Sequence, residues 1–360
     1  MDVSVSSGGA AMAADFRSDT VTRPTAQMIE AMVGAPTGDD VFGDDPSVKQ
    51  LEGVVAQMLA KEAALFVPSG TMSNQLAVKV HVGMLEEVLC DHRAHVHVWE
   101  NGGIHALSGA SVTPVVPTDG RFMTADDVSA NTRLDNSLYH QPVTRLLSLE
   151  NTLNGAVATV SQLTSTASRA VELGLATHLD GARLWNAAVA TGSQPADFAA
   201  PFDTVSVCLS KGLGAPIGSV LAGKAQHIDR ARHLRKLYGG GWRQAGLLAA
   251  AGLHALRHHR ARLAEDHEAA ELLADGLADL GFKVLPPETN MVWCEPPENL
   301  DFEHVQKAVS NRFLIGSTYQ GPRARNPWGN SGDFSLRFVT HLQTPRSSCK
   351  SLLGALRQVI

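Results

Sequence analysis

Helical and β-rich segments alternate along this chain of 360 residues, and the alternation restricts the fold more than any other feature. A helical pattern over 48–60 is followed by short β-rich segments, of which the clearest cover 64–67, 88–90, 112–115 and 145–149. Strands that are separated by helices pair in parallel, and the helices then cover both faces of the sheet. The sequence therefore predicts an α/β protein with a mostly parallel sheet.

The pattern changes near Gly239, where a long helical region over 244–280 begins. Further β-rich segments follow at Lys283–Leu285, 290–294 and 335–339. We predict a disordered tail over 1–14, a large domain over 15–243, and a linking helix with a smaller α+β domain over 244–360. The tail contains neither a basic segment nor a continuous apolar one, so we do not expect it to be a signal peptide.

The composition argues against nucleic-acid and membrane partners. The formal net charge is −6 and the basic residues are scattered, so the sequence has no basic patch for nucleic acid. No apolar run approaches the roughly 20 residues that cross a bilayer. The four cysteines, Cys90, Cys208, Cys294 and Cys349, lie far apart without metal-site or redox spacing. We expect a cytoplasmic enzyme with reduced thiols.

Two neighbouring β-rich segments each lead to a charged residue. Asp180 follows Ala-Thr-His-Leu, and Lys211 follows Val-Ser-Val-Cys-Leu-Ser. Residues just beyond the carboxyl ends of parallel strands face one crevice, so the carboxylate and the amine are expected to meet there. Pyridoxal 5'-phosphate requires a lysine for its Schiff base and an acid opposite its pyridine nitrogen. A surface lysine in an ordinary turn explains this pair equally well.

Two further segments suit the same cofactor. Ser69, Gly70 and Thr71 begin a helical stretch, where backbone amides and the helix dipole can bind a phosphate, although an ordinary N-cap is the commoner use of such residues. A His-x-x-His-x-His run contains His95 at its centre. We find no acidic or cysteine partner at ligand spacing and predict no metal. A histidine stacked on the cofactor ring is the better interpretation.

Several polar residues are candidates for binding substrate or cofactor. Asn151 and Asn154 follow a strand and either orient bound groups or build the turn. Arg243 follows three glycines, which indicate either close backbone contact or a hinge, and its guanidinium can reach a phosphate or carboxylate. Arg337 lies on a late alternating strand, and an arginine fork is suited to clamp an amino-acid carboxylate, although an exposed strand residue is the plain alternative.

The full set of motifs resembles the low-specificity L-threonine aldolases, in the same order and at similar spacing from about Asp15 onward. The motifs are DFRSDTVTRP, GDDVFGDDP, SGTMSNQ, the His95 region, SLENTLNG, HLDGARLWNA, CLSKGLGAPIGS, KLYGGGWRQ and LRFVTH. The resemblance implies fold type I of the pyridoxal-phosphate enzymes, with a mostly parallel seven-stranded sheet in the large domain. It also implies a homotetramer, a dimer of dimers, whose subunits share active sites.

The resemblance implies a role for each matching residue. Lys211 would form the Schiff base, Asp180 would face the pyridine nitrogen, Arg183 would lie near the ring oxygen, and His95 would stack on the ring. Gly70 and Thr71 would hold the phosphate, while Ser18 and Arg337 would bind the substrate carboxylate. Lys236 and Arg243 look like the residues of the family's glycine loop, which serve an adjacent subunit.

The chain departs from the family pattern at three places. Phe42 stands where the family often has tyrosine, and Leu153 stands where bacterial members often have histidine. Without that histidine, His95 is the remaining candidate base for the substrate hydroxyl, directly or through water. The segment 319–334 looks like an added loop before the strand of Arg337, and we expect it to shape the substrate entrance.

The implied activity is cleavage of the Cα–Cβ bond of L-threonine, L-allo-threonine and related β-hydroxy amino acids to glycine and an aldehyde. A racemase acting on a small amino acid such as alanine is the first alternative, since it needs the same cofactor and clamp and fits the apolar Phe42 and Leu153. A catalytically silent scaffold with this fold is the second. It ranks last because Lys211, Asp180 and Arg337 are all present.

Overall fold

The structure is a computed structural model that describes residues 13–134, 139–316 and 336–360. The predicted tail lies outside these residues except for its last two positions, and Ala14 is already part of a strand. The predicted added loop over 319–334 also lies outside the described residues. No helix among the described residues is both long and apolar enough to span a membrane.

The strands, numbered in chain order, are β1 Ala14–Asp15, β2 Ala63–Val67, β3 Glu86–Asp91, β4 Ser111–Val115, β5 Val143–Glu150, β6 Ala176–Gly181, β7 Thr204–Cys208, β8 Ser219–Gly223, β9 Lys283–Leu285, β10 Met291–Glu295, β11 Phe313–Leu314 and β12 Leu336–Val339. The α-helices are α1 Ala26–Val33, α2 Pro46–Met58, α3 Gly70–His81, α4 His95–Val98, α5 Ala125–Asn131, α6 Val160–Glu172, α7 Leu184–Thr191, α8 Pro195–Ala199, α9 Ala225–Leu237, α10 Gly246–His258, α11 Leu263–Asp279, α12 Phe302–Val309 and α13 Arg346–Leu356. A short 3₁₀ helix covers Asp19–Val21.

A seven-stranded sheet in the order β2-β8-β7-β6-β5-β3-β4 forms the centre of the molecule. Strands β4, β3, β5, β6 and β7 pair in parallel, whereas β8 runs antiparallel to both of its neighbours. The predicted α/β fold with a mostly parallel sheet is confirmed. Burial on both faces explains the continuous apolar strands, because helices cover the sheet from either side.

A three-stranded antiparallel sheet in the order β12-β10-β9 lies near the carboxyl terminus. It packs with α11, α12 and α13 around a second buried apolar cluster, which also includes Phe16 from the amino-terminal segment. Helix α10 packs instead into the main cluster. The domain boundary between 243 and 244 remains a prediction.

The helical region predicted over 244–280 contains two helices, since α10 ends at His258 and α11 begins at Leu263. The buried His259 accounts for the break. Its ring nitrogen Nδ1 lies 2.7 Å from the carbonyl oxygen of Leu213, two residues beyond Lys211. This tertiary contact with the Lys211 loop favours a turn where local helix propensity alone favours continuation.

Candidate active site

Asp180 lies near the carboxyl end of β6, and Lys211 follows the carboxyl end of the neighbouring parallel strand β7. The loop that carries Lys211 is fixed on the amino-terminal segment, since Thr22 Oγ1 donates to the Lys211 carbonyl at 2.8 Å. Gly214 adopts a positive φ of 79° in this loop. A Cβ atom at Gly212 would lie 2.9 Å from Leu263 Cδ2, so that glycine permits the close packing of α11 on this loop.

Asp180 is held by two hydrogen bonds. Its Oδ2 accepts from Asn74 Nδ2 at 2.7 Å, and its Oδ1 accepts from the backbone N–H of Ala182 at 3.0 Å. Asn74 lies on α3, so the helix that begins at the predicted phosphate cradle also positions this carboxylate. The arrangement leaves a buried carboxylate in a fixed orientation at the end of β6.

His95 has the acidic partner that the sequence spacing did not suggest. Its Nδ1 lies 2.9 Å from Oε1 of the buried Glu100. Burial lowers the pKa of His95, but the hydrogen bond with Glu100 and the nearby charges of Asp180 and Glu150 outweigh it, so the pKa is raised. A ring nitrogen of His95 and one carboxylate oxygen each of Glu100 and Asp180 lie within 4.8 Å of one another. Our statement that no acidic residue accompanies the histidine run is therefore wrong, because the helical turn folds Glu100 back onto His95.

Glu150, at the end of β5, is the common neighbour of the charged groups. Its Oε2 accepts from the backbone N–H of His95 at 2.7 Å. Burial and the charge of Asp180 raise the pKa of Glu150, His95 and Lys211 oppose the shift, and the resulting pKa is about 7. The carboxyl ends of β5, β6 and β7 thus bring Glu150, Asp180 and Lys211 to one crevice.

Arg183 is paired with a second buried carboxylate. Its Nε and Nη2 donate to the two oxygens of Asp19 at 2.9 and 2.6 Å. Asn290 Nδ2 adds a contact of 3.2 Å to Asp19. Burial by itself would raise the pKa of Asp19, but Arg183, helped by the charge of Lys211, holds it well below its usual range. This pair fixes the guanidinium next to the Lys211 loop.

The two predicted carboxylate-binding residues lie on adjacent segments. Ser18 caps the short helix at Asp19 and accepts from Thr20 N at 3.2 Å. Arg337, on β12, donates from Nη2 to the Arg17 carbonyl at 3.3 Å. Val339 N also donates to Phe16 O at 2.8 Å, so β12 and the amino-terminal segment are joined. Arg337 therefore contacts the backbone of the residue that precedes Ser18.

The predicted phosphate cradle begins helix α3. Ser69 is its N-cap, with the side-chain oxygen accepting from Met72 N at 3.1 Å, and Gly70 and Thr71 form its first turn. A Cβ at Gly70 would lie 2.9 Å from Cys208 Sγ, which shows how closely this turn approaches the end of β7. The glycine loop packs on the same turn, because a Cβ at Gly240 would overlap Met72 Sδ. Close contact, rather than a hinge, explains that glycine.

Two predicted binding residues have other partners in the described chain, and a third is exposed to solvent. Asn151 is fully buried, and its amide exchanges hydrogen bonds with the backbone of Ala158, as the turn-building alternative requires. Arg243 forms an ion pair with Asp39 at 2.9 Å. Lys236 is exposed in the last turn of α9. Within the described residues, no hydrogen bond or ion pair joins any of these three side chains to Lys211 or His95, and their binding roles remain predictions.

The departures from the family pattern occupy different environments. Phe42 is 79% exposed, whereas Leu153 is buried beside Glu150. Sequence reasoning assigned no role to Asp19, Asn74, Glu100 or Glu150. Three of these residues, Asp19, Asn74 and Glu150, lie inside the motifs DFRSDTVTRP, SGTMSNQ and SLENTLNG. Their position as polar residues without an assigned role inside a motif was the sequence signal that could have identified them.

The residues in this crevice fit pyridoxal phosphate. The donor set contains an amine at Lys211, a fixed carboxylate at Asp180, a partly exposed imidazole at His95 and a helix start at Gly70. Ser206 Oγ, next to Asp180 in the sheet register, is buried without a hydrogen-bond partner. A planar ligand with polar atoms between these groups would give them hydrogen-bond partners, which an apolar ligand would not.

Comparisons with known proteins agree with this geometry. The profile of the beta-eliminating lyase family matches residues 15–297. A low-specificity L-threonine aldolase of Escherichia coli K12 is 40% identical over 332 residues, covering 92% of this chain and 95% of the relative. Low-specificity L-threonine aldolase 1 of Arabidopsis thaliana is 43% identical over 355 residues and covers 96% of each chain.

Solved structures share the fold. The threonine aldolase of Leishmania major has a TM-score of 0.80 at 21% identity, covering 96% of this chain and 98% of its own. Serine palmitoyltransferase of Sphingomonas wittichii has a TM-score of 0.73 at 16% identity, covering 96% and 86%. Fold and site together define a fold type I pyridoxal-phosphate enzyme. The chain belongs to the low-specificity L-threonine aldolase family.

Proposed function

We propose that this enzyme cleaves the Cα–Cβ bond of L-threonine, L-allo-threonine and related β-hydroxy amino acids to glycine and an aldehyde. The observation that carries the proposal is the convergence of Lys211, Asp180 and His95 around Glu150, in a chain with relatives of that activity over nearly its whole length. Asp180 and Lys211 are the pair that the cofactor requires.

Pyridoxal phosphate, when bound, supplies an electron sink for the bond that breaks at the substrate Cα. Lys211 would hold the cofactor covalently, and Asp180 would keep a proton on its pyridine nitrogen. Ser69, Gly70 and Thr71 would bind the phosphate at the start of α3, where the helix dipole favours an anion. Arg183, which Asp19 holds in place, would bind the ring oxygen.

Ser18 and Arg337 orient the substrate. Arg337 binds the carboxylate through its guanidinium, a fork that suits a carboxylate, and Ser18 contributes its hydroxyl from the neighbouring segment. This clamp would fix the substrate carboxylate and thereby the direction of the Cα–Cβ bond that breaks. His95 then takes the proton of the substrate hydroxyl, directly or through one water, because the apolar Leu153 offers no base.

A proton NMR time course in D2O tests the proposal. The enzyme loaded with pyridoxal phosphate receives L-threonine and L-alanine together. We expect acetaldehyde and glycine to appear while alanine keeps its Cα proton. Exchange of the alanine Cα proton without acetaldehyde would instead identify a racemase, and an enzyme that leaves both amino acids unchanged would contradict both activities.

We also propose a homotetramer with shared active sites. Val41, Phe42 and Leu237 are exposed apolar residues on segments beside the glycine loop, where Asp39 pairs with Arg243. A second subunit would cover them and would receive Lys236 and Arg243 at its site. Light scattering should give a mass of four chains, and the double variant V41E/F42E should reduce it.

We propose that the protein is located in the cytoplasm. All four cysteines are buried free thiols, as expected in a reducing compartment. Fractionation of cells that express the protein tests this location.

We also propose that the chain divides into domains over 15–243 and 244–360. Limited proteolysis tests this division, which predicts a first cleavage near residue 244.

A further inference from the structure

Glu100 accepts three hydrogen bonds although its side chain is entirely buried. Asn74 Nδ2 and His95 Nδ1 approach its Oε1 at 2.8 and 2.9 Å, and Gln75 Nε2 approaches its Oε2 at 2.6 Å. All three partners are nitrogen donors when His95 carries a proton on Nδ1. A carboxylate is an acceptor only, so it satisfies every one of these contacts.

The hydrogen bonds of Asn74 fix the direction of its side-chain amide. Both amide hydrogens of Asn74 go to carboxylates, of Glu100 and Asp180, so its Oδ1 must accept. His178 Nε2 lies 3.2 Å from this oxygen, and His178 Nδ1 lies 3.1 Å from the backbone carbonyl oxygen of Thr204 and 3.0 Å from its Oγ1. The two carboxylates, which can only accept, thus fix the direction of the Asn74 amide.

We propose that Glu100 is a positioning residue that keeps the proton of neutral His95 on Nδ1 and thereby leaves the unprotonated Nε2 as its basic atom. This inference deepens the proposed function, because it names the atom of His95 that takes the hydroxyl proton. Within the described residues Nε2 has no hydrogen-bond partner, and the His95 side chain is 38% exposed. A carboxylate behind a catalytic histidine selects the tautomer and stabilises the imidazolium in the same way in serine hydrolases.

The charged groups that face His95 come from four elements. Glu100 follows α4, Glu150 ends β5 and contacts the His95 backbone, Asp180 ends β6, and Lys211 follows β7 beside Glu150. Only Glu100 contacts the imidazole itself by a hydrogen bond among the described residues. Removing its charge therefore changes the ring's tautomer, whereas the other groups act at longer range.

The test measures the tautomer without turnover. Histidine-labelled apoenzyme is studied by magic-angle-spinning NMR above the pKa of His95, and the variant H95N identifies the His95 signals by their loss. We expect a pyrrole-type shift at Nδ1 and a pyridine-type shift at Nε2. In E100Q, whose neutral amide oxygen accepts the Nδ1–H of His95 more weakly than a carboxylate does, we expect the two shifts to move towards each other. The surface variant E303Q should leave them unchanged.

Kinetics supply the second readout. E100Q should lower kcat about tenfold or more with little change in KM, and should move the acidic limb of kcat/KM down by about one pH unit, since the pKa of His95 falls. A wild-type Nε2–H tautomer, or E100Q with wild-type shifts and pH profile, would overturn the assignment. If E100Q does not fold, the wild-type tautomer still decides it. A wild type that has the expected tautomer but leaves threonine intact would refute the proposed function instead.

Discussion

The buried pair of Asp19 and Arg183 gives the sharpest prediction about stability. Both oxygens of Asp19 accept from the guanidinium, the Asp19 side chain is inaccessible to solvent, and that of Arg183 is 13% exposed. In D19N the arginine keeps its charge but loses its counter-charge. Breaking a buried pair from one side costs about 3–5 kcal/mol, and we expect about 3 kcal/mol because asparagine still accepts one hydrogen bond.

The loss of stability in D19N must also depend on pH in a defined direction. A carboxyl with a folded-state pKa below its unfolded value stabilises the fold fully above the unfolded pKa, about 3.9, and loses this contribution as the pH falls further. The free energy of unfolding of wild type should therefore exceed that of D19N by a constant amount, about 3 kcal/mol, from pH 5 to 7. This difference should become smaller below about pH 4.

Urea denaturation of the apoenzyme at fixed protein concentration measures the difference. The matched control is D15N, which breaks the neighbouring ion pair of Asp15 with Arg17, a residue that is 54% exposed. Screening by solvent limits that loss to about 1 kcal/mol or less. Equal losses in D19N and D15N, or a D19N loss that does not change with acid pH, would refute the reasoning.

Three other changes test separate parts of the structure. R337A should raise KM for L-threonine at least about tenfold with a smaller effect on kcat, since it removes charge-assisted hydrogen bonds to the carboxylate, and an unchanged KM would remove Arg337 from the clamp. E150Q should gain stability relative to wild type as the pH rises from about 4.5 to 7, because the folded-state pKa of Glu150 is about 7 and ionising the buried carboxyl destabilises the fold. Parallel stability curves for the two proteins would contradict that pKa. G240A should lower stability by about 1–3 kcal/mol, because its Cβ overlaps Met72 Sδ, whereas G53A, where a Cβ has open space, should not.

Local sequence patterns predicted the elements well and their long-range contacts poorly. The strands β6 and β7 and the helix at Gly70 follow from apolar runs and cap residues, signals confined to a few neighbouring positions. The sequence did not predict that β8 runs antiparallel to its neighbours, because a buried apolar strand has the same composition in either direction. The turn at His259 depends on Leu213, 46 residues away, which no helical pattern contains.

The site shows the same division. Asp180 and Lys211 could be paired because both follow strands, and sheet topology converts that fact into proximity. Asn74 contacts Asp180 across 106 residues, and Asp19 contacts Arg183 across 164. Such pairs depend on how helices and the amino-terminal segment pack on the sheet. A sequence motif can mark these residues, but only the three-dimensional packing identifies their partners.

The most direct test of the central claim compares wild type with K211A on L-threonine, with acetaldehyde and glycine quantified in the same samples. We predict that wild type releases the two products in equal amounts, and that K211A releases neither and lacks the visible absorbance of lysine-bound cofactor. Products from K211A at the wild-type rate, or a cofactor-loaded wild type that releases none, would contradict it.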